Sequence, residues 1–217
     1  MGSEMCIRDR VNGNVVADAG INIEQGKLNI GGDAKTNGKL YAGQNTNVTI
    51  NGNAVADKFS ASSGSNVTMN SIEGVAGKAV SDFTNQGTTV IKNGIVSADN
   101  FNNNGNLKQD VAGDNTMQQI NVTNEFWNSS QLKVNDFNMT SGTIHNSGQL
   151  EVDKIGSESG AVRVNNSKNS ETGAVGNLTV AGDVYSSNLS NEGQFHIKGN
   201  LVVDYLQEYD LSLIHIS

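Results

Sequence analysis

Proline is absent from the 217-residue sequence, and cysteine occurs only once, as Cys6. Aromatic residues account for 5% of the chain, and no apolar run approaches the ~18 to 20 consecutive residues that a membrane-spanning helix needs. We therefore expect no membrane insertion within this segment. The formal net charge is −8, which disfavours contact with a phosphate backbone, so we also expect no nucleic-acid partner.

Helix-forming composition is also lacking. The chain contains 32 asparagines and 25 glycines, together about a quarter of all residues. Both residue types are poor in helix interiors and are favoured in turns. This composition excludes a helical bundle and favours short strands that are separated by many turns.

The two ends of the sequence resemble translated sequencing adapter. Residues 5–9 read MCIRD and residues 211–216 read LSLIHI, and a DNA string that encodes the first is the reverse complement of part of one that encodes the second. Such an inverted terminal repeat is typical of a transposase-based sequencing library. We expect residues 1–10 and 211–217 to be adapter that packs poorly, and residues 11–210 to be a fragment of a longer reading frame, which removes Cys6 from any redox argument.

Repeats organise the rest of the chain. Three octets share an aliphatic residue, a Gly-Asn pair, a valine and an aspartate: VNGNVVAD from Val11, INGNAVAD from Ile50 and IKGNLVVD from Ile197. Apolar residues also alternate at short intervals, which predicts short strands with one buried face. These alternating pairs are Leu28/Ile30, Val48/Ile50, Val67/Met69, Leu132/Val134, Leu150/Val152, Val162/Val164, Leu178/Val180 and Phe195/Ile197.

The spacing of the strands predicts the architecture. Successive alternating pairs recur at intervals of roughly 20 residues, which is the length of one coil of a parallel β-helix. Helical solenoids need longer units and helix-forming residues. We therefore predict an all-β parallel β-helix of roughly nine or ten coils. Its interior column is expected to hold Ile30, Ile50, Met69, Val134, Val152, Val180 and Ile197.

Pairs of Gly-Asn and Gly-Asp follow several of these strands at the same position. Glycine suits a turn that needs positive φ, and stacked asparagines can bond side chain to side chain between coils. We interpret the pairs as a structural turn ladder, with a ligand site as the alternative. The residues of this predicted ladder are Gly32, Asp33, Gly52, Asn53, Gly182, Asp183, Gly199 and Asn200.

The middle of the chain is less regular. Leu132 lies 25 positions after Leu107, and we place the excess in a protruding loop near Thr116 to Ser130. This loop would carry Phe126 and Trp127, the latter being the only tryptophan. The pair could be a binding platform for a sugar or a protein partner, or could fold back over the rod.

No motif indicates a catalytic, metal or cofactor site. The segment NFNNNGNLKQD from Asn100 has the spacing of a calcium loop, but asparagines stand where carboxylates are needed. His145 and His196 are too few for a zinc site or a catalytic triad and are expected at exposed strand positions. An enzyme would need acidic residues that converge on one face, and the candidates are Asp99, Asp110, Asp114, Glu125 and Asp136.

Several segments resemble the passenger regions of autotransporter adhesins and filamentous-haemagglutinin-like exoproteins of Gram-negative bacteria. They are NSGQLEVDKIG from Asn146, GNLTVAGDVYSSNLSNEG from Gly176 and NEGQFHIKGNLVV from Asn191. The resemblance implies a right-handed parallel β-helix, export, display on the cell surface and adhesion to a host or cell-surface protein or glycan. It carries over no functional residue. A β-helix carbohydrate-active enzyme or a phage tailspike or tail fibre is the alternative.

Overall fold

A computed structural model describes residues 8–110, 112–160, 162–170, 172–209 and 213–216. The described residues form 26 strands and one 3-10 turn, Val75–Gly77. The strands are β1 (Arg8–Val11), β2 (Val15–Ala17), β3 (Gly20–Ile23), β4 (Lys27–Ile30), β5 (Ala34–Thr36), β6 (Lys39–Ala42), β7 (Asn47–Ile50), β8 (Ala54–Val55), β9 (Lys58–Ala61), β10 (Asn66–Met69), β11 (Ile72–Glu73), β12 (Val80–Asn85), β13 (Thr88–Ile91), β14 (Ile95–Asn103), β15 (Asn106–Lys108), β16 (Thr116–Asn128), β17 (Gln131–Asn138), β18 (Thr143–Asn146), β19 (Gln149–Val152), β20 (Val162–Asn166), β21 (Asn177–Val180), β22 (Val184–Asn191), β23 (Gln194–Ile197), β24 (Leu201–Val203), β25 (Leu206–Glu208) and β26 (Leu213–Ile216).

Each strand pairs in parallel with the strand that lies one coil away in the sequence. For example, β4 pairs with β7, and β7 pairs with β10. The result is a parallel β-solenoid of about 11 coils, with about 19 residues in each coil. The predicted all-β parallel β-helix is therefore confirmed, with slightly shorter and more numerous coils than the sequence indicated.

Three strands make up a typical coil, and each belongs to a different face. In one coil these are β4, β5 and β6, which stack on β7, β8 and β9 of the next coil. From β14 onward some strands are long enough to bend across a corner, which joins faces into a 16-stranded sheet. We call the third face the ladder face. It consists of β6, β9, β12, β18, β20 and the second halves of β14, β16 and β22.

Alternating side chains from every face fill the interior. The seven aliphatic residues predicted for the interior column are each at most 2% exposed. Ile30 lies in register with Ile50, and Val152 lies in register with Val180. Burial of one such side chain contributes about 1.5 to 3 kcal/mol to stability. The positions predicted for the interior are therefore confirmed.

Phenylalanines stack along the inside of the ladder face. The rings of Phe59, Phe83, Phe101 and Phe126 follow one another with centroids 4.9, 5.2 and 5.0 Å apart. Phe137 closes the series with an edge-on contact at 5.1 Å. Parallel, in-register strands hold these rings close to the coil spacing, so four of the six phenylalanines in the chain form one continuous stack.

A ladder of buried asparagines runs beside the phenylalanines. In each of its five steps, the Nδ2 amide donates to Oδ1 of the asparagine in the next coil, at 2.8 to 3.2 Å. At the Asn85 end of the ladder, Thr89 Oγ1 donates a hydrogen bond to Asn85 Oδ1. The amides are thus satisfied within a dry interior, where an unpaired amide would be costly. The ladder consists of Asn85, Asn103, Asn128, Asn146, Asn166 and Asn191.

The predicted turn ladder lies at the outer surface, where the side-chain amide of Asn200 donates to Oδ1 of Asp183 at 3.1 Å. Most of its bonds, however, come from the backbone. The backbone N–H of Asn53 donates to Oδ1 of Asp33 at 2.8 Å, and that of Asn200 donates to Oδ1 of Asp183 at 2.7 Å. These side chains accept bonds from the backbone one coil away. They therefore tie consecutive turns together at the outer surface.

The glycines of these pairs are needed for space rather than for positive φ. None of the four is among the described glycines with positive φ. A Cβ at Gly52 would overlap Oδ1 of Asp33, and a Cβ at Gly199 would overlap the backbone of Gly182. Close stacking of consecutive turns therefore selects glycine at these positions.

The prediction of a protruding loop at Thr116 to Ser130 is wrong. Residues 116–128 form the 13-residue strand β16, and its β-branched and aromatic side chains suit a strand. The excess residues lie just before it, where the described residues 109, 110 and 112–115 form bends and a turn. Phe126 is consequently an interior residue at 0% exposure, and Trp127 projects from the opposite side of the same strand.

The described parts of the two ends form terminal strands. Arg8–Val11 pairs with Lys27–Ile30, and Leu213–Ile216 pairs with Gln194–Ile197. Ile214 lies in register with Phe195 and packs against the interior, whereas Arg10, His215 and Ile216 are exposed. The backbone groups of these strands continue an open sheet edge, and poor packing of the end side chains stays a prediction. Residues 1–7, 210–212 and 217 lie outside the described residues.

Candidate functional site

The outer surface of the ladder face carries two columns of side chains. The strand register places one residue of each column in every coil. The lysine column contains Lys39, Lys58, Asp82, Asn100, Glu125 and Thr143. The tryptophan column contains Tyr41, Ser60, Thr84, Asn102, Trp127, His145 and Asn165.

Trp127 is the exposed aromatic residue of this face. Strand alternation directs Phe126 inward and Trp127 outward, where its side chain is 47% exposed. The ring of His145 lies in the next coil and stacks on the indole with centroids 3.7 Å apart and planes 9° apart. One indole face is therefore covered.

Glu125 fixes the imidazole in this position. Its Oε2 lies 3.1 Å from Nε2 of His145. Burial lowers the pKa of His145 from its ordinary 6.5, while the negative charge and hydrogen bond of Glu125 act in the opposite direction. The cluster of Trp127, His145 and Glu125 is thus held by stacking and by one polar contact.

A groove of about 500 Å³ lies beside this cluster. It is on the Asn102 side of Trp127, because Asn102 lines the groove and His145 does not. The polar or aromatic side chains along it come from both outer columns. They are Lys39, Lys58, Ser60, Asp82, Thr84, Asn100, Asn102, Glu125 and Trp127, and the groove is also lined by the interior residues Phe59, Phe83 and Phe101.

Opposite charges in the groove are balanced. Lys58 Nζ lies 2.6 Å from Asp82 Oδ2, and Asn100 Nδ2 donates to Asp82 Oδ1 at 3.0 Å. These two hydrogen bonds, with that from Lys58 the larger, lower the pKa of Asp82, and its carboxylate raises the pKa of Lys58. Together with Lys39 and Glu125, the lining holds two positive and two negative groups, so its formal charge is zero.

Asn102 carries an unusual polar atom. Its Oδ1 is buried and has no hydrogen-bond partner, and it is the one such side-chain atom found in the part of the chain that the structure describes. A buried polar atom without a partner is uncommon in native proteins and calls for an explanation. Asn102 lies in register with Trp127, so this atom is at the end of the groove where the aromatic ring stands.

One of the five sequence-predicted acidic residues lines the groove, and two others accept hydrogen bonds from neutral side chains. Asp99 accepts from Thr123, and Asp136 accepts from Gln119 and Asn138. The carboxylates that line the groove are Glu125, one of the five candidates, and Asp82, which the sequence analysis did not select. The residues of the predicted turn ladder do not line it.

The described residues contain no group of three or more His, Cys, Asp or Glu side chains that could hold a metal ion. Among the helices of the described part, none is long and apolar enough to cross a membrane. The segment that resembles a calcium loop belongs to strands β14 and β15, and its Asn103 is a member of the buried ladder.

Comparisons with known proteins identify no relative. No family model matches the chain, and no curated protein or solved structure matches it. The assignment of the parallel β-solenoid therefore depends on strand register, and the description of the site depends on its geometry.

Proposed function

We propose that the chain is a structural and adhesive rod segment of an exported bacterial surface protein, of the autotransporter or two-partner-secretion type, that acts outside the cell without catalysis. One observation carries the adhesive part of the proposal: a repetitive solenoid displays a single Trp127–His145–Glu125 cluster beside a groove. The residues of the rod recur from coil to coil, whereas this cluster occurs once.

The rod is suited to act as a spacer. At ~4.8 Å per coil, its length is on the order of 50 Å for about 11 coils. Phenylalanines, aliphatic residues and the asparagine ladder fill its interior, so ligands are restricted to the outside. A repetitive scaffold of this kind holds surface groups at fixed positions along its axis.

Adhesion can be tested with beads that carry the purified chain. We expect coated beads to adhere to bacterial or host cells, and Trp127→Ala to reduce adhesion. Tyr205→Ala is a matched control, because Tyr205 is an exposed aromatic residue that does not line the groove. Equal adhesion of wild-type and uncoated beads would contradict the proposal.

A β-helix carbohydrate-active enzyme, including a phage tailspike, is a second candidate. The observation that favours it is the presence of Asp82 and Glu125 in one groove, both in register with Asn100. Two coil spacings separate their backbones by about 9.6 Å, close to the ~6.5 to 9.5 Å between carboxyl groups of inverting glycosidases. Release of reducing ends from bacterial polysaccharide that Asp82→Asn and Glu125→Gln each abolish would favour this enzyme over the adhesive rod.

A further inference from the structure

The side of Trp127 opposite His145 borders the groove. In the tryptophan column, His145 lies one coil to one side of Trp127 and Asn102 lies one coil to the other. The imidazole covers its side at 3.7 Å. Asn102 has a shorter, non-aromatic side chain, and the next residues of the column, Thr84 and Ser60, are smaller still.

The groove, at about 500 Å³, is large enough for one flat ring once the Asn102 side chain turns aside. A ring in the Asn102 position would continue the stack that His145 and Trp127 begin. The groove occupies this position, since it is lined by Ser60, Thr84, Asn102 and Trp127. The register of the coils therefore creates a notch with an aromatic end wall and a floor of hydroxyl and amide groups.

The charges of the notch favour a neutral ligand. Lys58 is paired with Asp82, Glu125 is hydrogen-bonded to His145, and Lys39 Nζ lies over the Tyr41 ring at 4.7 Å. An ionic ligand would have to compete with these existing partners. A hydroxyl-rich ligand can instead add hydrogen bonds to carboxylate and amide groups without breaking a salt bridge.

We propose that this notch binds one pyranose ring of a neutral saccharide, with its C–H face stacked on the Trp127 face opposite His145. A pyranose has an apolar face that suits an aromatic surface and hydroxyls at its rim that suit polar walls. Asn102 Oδ1, which lacks a partner, gains a hydroxyl donor when its side chain turns toward the ring. The inference rests on the proposed adhesive function, for which it names the ligand class.

Trp127 is the only tryptophan in the chain, so its fluorescence reports on this site alone. The probes are neutral oligosaccharides of glucose, galactose, mannose and N-acetylglucosamine. We expect at least one to change the emission saturably at millimolar concentration. Hyaluronan fragments and an aromatic-rich peptide serve as the acidic and peptide comparators, and they are expected to have no effect.

Asn102→Phe tests the notch itself. The new ring should fill the space beside Trp127 and weaken saccharide binding by at least about tenfold, or 1.4 kcal/mol. Asn165→Phe is the matched control, because Asn165 lies in the same column on the far side of His145. It should leave binding unchanged, and circular dichroism will show whether both variants fold.

The outcomes separate this inference from the proposed function. If no neutral saccharide changes the emission, if only the acidic or peptide probe does, or if both variants bind equally, the inference is overturned. Cell adhesion by wild-type beads in that case leaves the adhesive rod standing with a different ligand. Saccharide binding without cell adhesion supports the site and contradicts the adhesive function.

Discussion

The side-chain amide of Asn146 donates a hydrogen bond to Oδ1 of Asn166, 2.8 Å away in the next coil. Asn146 Oδ1 in turn accepts from Asn128 Nδ2 at 3.1 Å. Both hydrogen bonds lie in the interior, where Asn146 is 0% exposed. One asparagine thus connects three consecutive coils.

Asn146→Ala should be strongly destabilising. It leaves Asn166 Oδ1 without the ladder donor, removes the acceptor of Asn128, and opens a small void. Each buried polar group that loses its partner costs about 1 to 3 kcal/mol. The free energy of unfolding, measured with urea, is expected to fall by about that amount or more.

Asn135→Ala is the control for the ladder. Asn135 is exposed, and its one side-chain bond, to Gln118, is long at 3.5 Å. Its replacement should change the free energy of unfolding by no more than about 0.5 kcal/mol. If the Asn146 and Asn135 variants were equally stable, the ladder would not contribute to the stability of the rod.

The asparagine ladder has a sequence signature that the repeats only partly revealed. Phe83, Phe101 and Ile144 are each followed two residues later by a ladder asparagine and four residues later by glycine. The octets with Gly-Asn pairs indicate the outer turns and not the buried asparagines. Two classes of asparagine, one buried and one at the surface, can be distinguished only when the inward or outward direction of each residue is known.

Strands and interior positions could be predicted because they depend on local alternation. The site could not, because Asn102, Trp127 and His145 belong to three coils whose lengths differ. Trp127 is 25 residues from Asn102 and 18 from His145 in the register. The extra residues between β15 and β16 and an irregularity between Ala98 and Asn100 set these offsets, and single-sequence periodicity does not specify either.

Phe101 lies in the middle of the phenylalanine stack and provides a second test. Phe101→Ala removes two ring contacts, with Phe83 and Phe126, and leaves a cavity. Such truncations cost about 3 to 5 kcal/mol. Chemical denaturation should show this loss, with a smaller loss for Phe101→Leu. A cost no larger than that of Trp127→Ala, at an exposed position, would contradict the continuous stack.

Gly52 and Gly13 occupy the same position of two octets but face different surroundings. A Cβ at Gly52 would overlap Oδ1 of Asp33 and the backbone of Gly32, whereas one at Gly13 would have nothing within 4 Å. Gly52→Ala should therefore destabilise the rod by about 1 to 3 kcal/mol, as overpacking does. Gly13→Ala should be nearly neutral in the same thermal or urea unfolding experiment. Equal effects would show that glycine is selected there for another reason.

The stacked imidazole of His145 should make the site sensitive to acid. Burial lowers its pKa in the folded chain below the ordinary 6.5, so the unfolded chain binds the proton more readily. Stability is consequently unaffected by this group above 6.5 and falls as the pH drops through 6.5 toward the lower pKa of the folded state. Emission of Trp127 should titrate with a midpoint below 6.5, because protonation changes the ring that stacks on it.

Glu125→Gln removes a charge that raises the pKa of His145 and should move the midpoint lower still. His145→Gln should abolish the transition, while His196→Gln, on the separate strand β23, should leave it unchanged. A midpoint above 6.5, or a transition that survives His145→Gln, would contradict the assignment.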